Sequence, residues 1–224
     1  GGSATNDGGA GMARALGWRL LDASGEELPS GGAALARLDR IEGNIAPSLA
    51  TVRIVAACDV DNPLCGPSGA SHVYGPQKGA TPEMADLLDA ALRHYGEIVA
   101  AQRGVSMLEV PGAGAAGGLG AGLLAFARSE LRRGIEVILD AAHFDERVRK
   151  ATLVLTGEGR VDEQTAHGKT VAGVAHAARR AGKPVIAFAG TLGEGWRDTL
   201  AEVDAIQCVS PGPMPLEAAL RDGK

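Results

Sequence analysis

Glycine is the residue that most restricts how this chain can fold. The 224 residues include 33 glycines, about twice the average usage of about 7%. They gather in three stretches: Gly1–Gly11 (GGSATNDGGAG), Pro111–Gly122 (PGAGAAGGLGAG) and Thr156–Arg160 (TGEGR). Glycines clustered between apolar, periodic segments serve tight turns and close backbone approach, whereas linkers disperse them through polar sequence. There is no internal repeat and no low-complexity segment, so the three stretches read as places where main chain meets main chain or a ligand.

The remaining composition narrows the partners. A hydrophobic content of 45% with 22% charged residues suits one large domain or two modest ones. The net charge is -5 and aromatics make up 3%. With no basic stripe either, this argues against nucleic acid. The longest apolar runs, such as Leu153–Leu155 and Val185–Ala189, are too short to cross a bilayer. No initiator Met and no charged-then-apolar leader stands at Gly1. Cys58, Cys65 and Cys208 are few, odd in number and unpatterned, which reads as reduced structural thiols in a cytoplasmic protein. Both ends look cut. Gly1 opens inside a loop of the kind that links a strand to a helix, and a helical pattern from Pro215 stops at Lys224.

Between the ends, strand and helix patterns alternate. Asn6 or Asp7 can cap a helix through Leu16. Trp18–Leu21 and Val52–Ala57 read as strands. Thr81-Pro82-Glu83 gives an N-cap followed by proline at the first helical position, and that helix runs to about Arg103. Gly117–Arg132 reads as a small-residue helix, and Ile135–Leu139 as a short strand or a helix start. Thr152–Thr156, Pro184–Ala189 and Ala205–Val209 are buried strands, with a helix over Lys169–Arg180 closed by Gly182 and Pro184. Near-continuous apolar strands around a helix predict an α/β fold, with a parallel sheet covered on both faces. A domain boundary is expected near Lys150.

Several segments carry candidate chemistry. In Gly1–Asp7, glycine amides with Ser3, Thr5 and Asn6 can cradle an anion at a helix start; a tight turn with a cap is the plainer reading. Asp59 and Asp61 alternate to one side of an extended chain beside Asn62. They can hold Mg²⁺, accept a proton from a substrate hydroxyl, or form an Asx-turn before Pro63. Lys78, in Gly75-Pro76-Gln77-Lys78-Gly79, is either a point charge for phosphate or a solvated loop lysine. Gly112–Gly117 satisfies G-x-G-x-x-G with Asp140 further on, an imitation of a dinucleotide fingerprint. A poor preceding strand and the continuing glycines favour close packing instead. Glu158, Arg160 and Asp162 are expected beyond the carboxyl end of a strand, where ligands of open α/β sheets bind. Carboxylate-to-metal and Arg-to-phosphate contacts would use all three charges; an internal Arg–Asp pair is the alternative. Lys169 is a further candidate to face an anion at the next helix start, and Gly190–Gly193 either lines a nucleotide pocket or makes a turn.

With these segments identified, the chain resembles the bacterial glycerate kinase family. The matching stretches are GGSATNDGGAGMARALG, ACDVDNPLCGPSGASHVYGPQKGATPEM, PGAGAAGGLGAGLLAF, LVLTGEGRVDEQTAHGKT, PVIAFAGTLG and SPGPMPLEAAL, in the family's order. The resemblance implies two α/β domains with an active-site cleft between them. Residues 1–150 would be an inserted domain, and 151–224 the C-terminal part of a Rossmann-like domain. A preceding strand with an Asp-Ser-Phe-Lys type loop and a last helix, both present in the family, are absent here. It also implies ATP, Mg²⁺ and D-glycerate, with 2-phosphoglycerate as product. On that footing Gly2, Ser3, Thr5, Asn6, Asp7, Asn62, Lys78, Arg160 and Lys169 would bind substrate or phosphate. Glu158 and Asp162 would hold the metal, and Asp59, Asp61 and Asp162 would be catalytic. The rival functions are an NAD-dependent dehydrogenase and a non-catalytic module that binds a small acid.

Overall fold

The computed structural model describes residues 3–45, 47–162, 170–201 and 203–210, with 212, 214, 217 and 221. The chain divides into two compact units, Gly1–Arg132 and Arg133–Lys224.

The first unit is built around one long helix. Its elements are α1 (Ala10–Ala15), β1 (Arg19–Leu21), β2 (Arg40–Glu42), β3 (Val55–Ala57), α2 (Ala70–Tyr74), α3 (Pro82–Arg103), α4 (Ala115–Ala127) and β4 (Glu130–Arg132). The α3 ends are the ones its sequence dictates. Thr81 Oγ1 accepts the Met84 N–H at 3.3 Å, Pro82 fills the first turn, and Gly104 closes the helix in the left-handed region at φ 67°. Its buried face carries Leu92, Tyr95 and Val99. Phe126 of α4 stacks on Tyr95 with centroids 6.2 Å apart, and Trp18 meets Phe126 edge-on at 5.3 Å. These few aromatics therefore carry the centre of the core, a larger burial per residue than its many alanines supply. The Arg103 guanidinium caps Trp18 from above at 4.1 Å.

Two short strands had no signal in the sequence. The β2 strand pairs antiparallel with β1, and β4 pairs parallel with β3. The predicted helix over Gly117–Arg132 thus ends at Ala127, where Arg128 turns left-handed at φ 51°, and the chain re-enters as a strand. The strand expected from Val52 starts only at Val55.

The second unit contains α5 (Gly134–Ala141), α6 (Phe144–Lys150), β5 (Val154–Val161), α7 (Thr170–Arg180), β6 (Val185–Leu192) and β7 (Ala205–Cys208). Ile135–Leu139 lies in helix α5. The strands form one parallel sheet in the order β5-β6-β7. Val148 of α6 and Val171, Ala175 and Ala178 of α7 pack with Val154, Val185 and Ala187. The division between the units falls ahead of the expected Lys150, because α6 packs into the second unit's core and Ile135 of α5 lies against Gly173 of α7. Among the described residues, Leu155 and Phe188 of this sheet stay 60% and 38% exposed.

All three cysteines are free. Burial and the Asp89 charge push the Cys65 thiol up to about 12, so it stays protonated and behaves as a small apolar group. Among the described residues no helix is long and apolar enough to cross a membrane.

Candidate functional site

In the first unit two candidate loops are seated on one glycine-rich stretch. A Cβ on Gly112 would lie 2.8 Å from Cys58 Sγ and 3.2 Å from the Val60 carbonyl, and one on Gly114 would run into the Pro63 carbonyl. Further along, a Cβ on Gly117 would collide with the Thr5 carbonyl and sit 2.8 Å from Asn6 Cα. At Gly118 it would sit 2.7 Å from Gly8 Cα. Both of these last glycines are left-handed, at φ 74° and 88°. The stretch is therefore a close-packing seat, as its continuing glycines suggested. The dinucleotide reading is overturned here. No strand leads into Gly112, and the glycines face protein backbone where that fold would leave room for a pyrophosphate.

The Ser3–Asp7 loop is held by side chains from elsewhere. Lys78 Nζ donates to the Thr5 carbonyl at 2.7 Å, and Asn6 Nδ2 donates to Ser71 Oγ at 2.8 Å. Asn6 Oδ1 is buried without a hydrogen-bond partner among the described residues. Partial burial pulls the Lys78 ammonium below its ordinary pKa, opposed by the Asp7 charge. Lys78 is thus docked on the loop, and the solvated-lysine alternative does not hold.

Asp7 occupies part of the expected anion cradle. Its Oδ1 accepts the Gly9 N–H at 3.2 Å and its Oδ2 the Gly11 N–H at 3.0 Å. These are amides that an anion would need, and a carboxylate already resting on them repels a second negative group. Asp7 thus covers the amides at the start of α1, whose N-cap position is Gly9. Gly2 lies outside the described residues.

In the second loop burial alternates: Asp59 and Asp61 are exposed, Val60 and Asn62 half-buried. The two carboxylates therefore share the outward side that an extended chain gives alternate residues. Asn62 is committed to the protein. Its Oδ1 accepts the Tyr74 hydroxyl at 2.6 Å and its Nδ2 donates to the Ser68 carbonyl at 2.8 Å. It anchors the loop that carries the two aspartates.

Ser71 and Tyr74, which hold Asn6 and Asn62, were not visible in the sequence. They stand three apart on the five-residue helix α2, a spacing that puts side chains on one face but too short to read by periodicity. Tyr95 was missed too. Its hydroxyl, at the end of a fully buried ring, donates to the Gly8 carbonyl at 3.1 Å.

The second unit places its candidates differently. The β5 strand runs on through Val161, with Glu158 opposite Ala189 and Arg160 opposite Thr191. Glu158 and Arg160 therefore lie within the strand rather than in a loop beyond Thr156, and Asp162 stands just past its end. Gly190, Thr191 and Leu192 likewise lie inside β6, which overturns the turn expected of them. Arg160 Nε and Asp162 Oδ2 form an ion pair at 3.2 Å. A Cβ on Gly193 would sit 2.8 Å from Arg160 Nε and 2.9 Å from Asp162 Cβ, so this glycine makes room for the pair.

Among the described residues no group of three His, Cys, Asp or Glu is placed to hold a metal ion. Lys169 lies outside the described residues.

Comparison with known proteins agrees over the whole length. The family model described as the glycerate kinase family matches residues 1–224. A glycerate kinase of Bacillus subtilis (strain 168) is 50% identical over 224 residues, covering 98% of this chain and 58% of that protein. A glycerate 2-kinase of Escherichia coli (strain K12) is 51% identical over 193 residues, covering 86% of this chain and 51% of that protein. A crystal structure assigned to glycerate kinase 2 of Salmonella typhimurium LT2 superposes with a TM-score of 0.81 at 49% identity, over 99% of this chain and 58% of that one. The chain thus spans somewhat more than half the length of such relatives. An α/β scaffold, seated glycine-rich loops and a family match from the first residue to the last lead to one assignment: the chain belongs to the glycerate kinase family.

Proposed function

We propose that this chain is the greater part of an ATP-dependent glycerate kinase, which moves the γ-phosphoryl group of ATP onto D-glycerate to give 2-phosphoglycerate and ADP. The observation that carries the reading is the identity near 50% with proteins called glycerate kinase across almost the entire chain. In this reading the first unit corresponds to an inserted domain and the second to the C-terminal part of a Rossmann-like domain.

Such a reaction needs little covalent work from the protein; it needs positioning and charge neutralisation. In the first unit Lys78 supplies a positive charge on the Ser3–Asp7 loop. With the Ser3 and Thr5 hydroxyls and Asn6, it suits the carboxylate and hydroxyls of a small hydroxy acid. Asp59 and Asp61 offer exposed carboxylates to accept or orient the reacting hydroxyl's proton. In the second unit Arg160 is the phosphate-facing candidate, steadied by Asp162, and Glu158 contributes charge along the strand. The nucleotide enters as its magnesium complex, the form in which kinases take it, and the metal is carried in as substrate.

The test is a chimera in which this chain replaces the matching segment of the Bacillus subtilis relative. Mg-ATP and D-glycerate should yield ADP, with the product consumed directly by enolase. ADP formed together with a product that enolase refuses would overturn the position of phosphorylation. No glycerate-dependent ADP, from a chimera that folds and whose parent is active, would overturn the activity.

A further inference from the structure

His72 sits where only its charged form satisfies its neighbours. Nδ1 lies 3.1 Å from the Gly66 carbonyl and Nε2 lies 3.0 Å from Asp86 Oδ1. Both partners accept, neither donates. A neutral imidazole has one N–H, so one of the two contacts would set a lone pair against an acceptor; an imidazolium donates to both. Asp89 stands behind, 3.6 Å from Nδ1, and its Oδ1 accepts the Gly66 N–H at 2.8 Å. The other groups facing this cluster are the Arg93 guanidinium, 3.7 Å from Asp89, and the Cys65 thiol, 3.7 Å from the Asp89 carbonyl. On the remaining sides α4 has no charged residue, and Lys78 of the turn after α2 is committed to Thr5.

Two other residues of α2, Ser71 and Tyr74, hold the candidate loops. Ser71 accepts from Asn6, and Tyr74 donates to Asn62. We propose that His72 is a positioning residue: as an imidazolium clamped between the Gly66 carbonyl and Asp86, it fixes α2 against α3 so that Ser71 and Tyr74 hold both loops at once. The geometry agrees with the direction in which the ring titrates, since the Asp86 hydrogen bond lifts His72 above the ordinary imidazole value of 6.5. The sign follows from that elevation. The clamp is fully closed below the ordinary imidazole value and opens as pH rises through the raised one. It belongs to the packing of the first unit and stands whether or not glycerate is the substrate.

The test is NMR on the ligand-free chain. The ring signals of His72 (assigned by their loss in His72→Gln) and the side-chain amide signals of Asn6 and Asn62 are followed against pH. All three should share one midpoint above 6.5, and in Asp86→Asn all three should fall together by about one pH unit. In Tyr74→Phe, Asn62 should drop out of the shared titration while Asn6 remains in it. The proposal is overturned by a His72 midpoint at or below the ordinary value. It is equally overturned if the asparagine midpoints stay put in Asp86→Asn, or if Asn62 still follows His72 in Tyr74→Phe.

Discussion

The two units carry their candidate residues on different scaffolds. In the first, the loops of Ser3–Asp7 and Asp59–Asn62 have no regular structure of their own and take their shape from what they rest on: Gly112–Gly118 beneath, and Ser71, Tyr74 and Lys78 at the side. In the second, Glu158 and Arg160 belong to a strand whose ladder fixes their spacing, and Asp162 follows at its end. A strand spaces alternate charges at a set distance; a seated loop places them more freely but depends on a seat of glycines. Substitution of the seat should therefore damage the first unit heavily, and the equivalent change in the strand should matter little.

The largest effect is expected at Gly117. Valine there meets two costs: a left-handed backbone at φ 74°, about 1–2 kcal/mol, and a side chain driven into the Thr5 carbonyl and Asn6, about 1–3 kcal/mol. Chemical denaturation followed by Trp18 fluorescence, in a Trp196→Phe background, reads the first unit alone. A loss of stability below about 1 kcal/mol would show that the loop is not held by this seat.

Next come the carboxylates. In an active chimera, Asp59→Asn and Asp162→Asn should each lower kcat by ~10²-fold, the scale of a lost acid–base or charge contact. If only Asp59→Asn does so, the chemistry rests on the loop scaffold, and Asp162 is left as the partner of Arg160. Near wild-type turnover in both variants would remove both from the mechanism.

What could be read in the sequence follows the same division. The capped helix α3 and the cores of β5, β6 and β7 were legible because Thr81-Pro82, Gly104 and the apolar runs act locally. The strands β2 and β4 were not, since three residues such as Arg40–Glu42 form a strand only when a partner such as β1 supplies the ladder. The extension of β5 through Val161 was hidden for a related reason. Thr156-Gly157-Glu158-Gly159-Arg160 has the composition of a loop, and only pairing with β6 keeps it extended. Among the site candidates, Lys78 and the aspartates were named from their chemistry. Their supports, Ser71, Tyr74 and Tyr95, were not, because a hydroxyl that holds a loop 65, 12 or 87 residues away leaves no local pattern.

A smaller effect is expected at Tyr95, which tests the seat from its far side. Its hydroxyl donates to the Gly8 carbonyl from a fully buried ring, and burial pushes the phenol well above its ordinary pKa, so it remains a donor at any working pH. Tyr95→Phe keeps the stack on Phe126 and removes only that donor. The cost should be about 1–2 kcal/mol, that of leaving a buried carbonyl without its partner, read by the same Trp18 transition. A variant as stable as the parent would mean that the Gly8 carbonyl finds another donor.

The smallest effect, and the sharpest contrast with Gly117, is expected at Gly159 in β5. A Cβ there meets nothing within 4 Å, and its backbone is outside the left-handed region. Alanine would add no clash and would restrict the unfolded chain, so Gly159→Ala should leave stability unchanged or raise it by about 0.5 kcal/mol. Trp196 fluorescence, in a Trp18→Phe background, reads this in the second unit. A clear loss there would mean that the strand glycines also serve close approach. Strand and loop would then be constrained alike, and the contrast between the two scaffolds would fail at its mildest substitution.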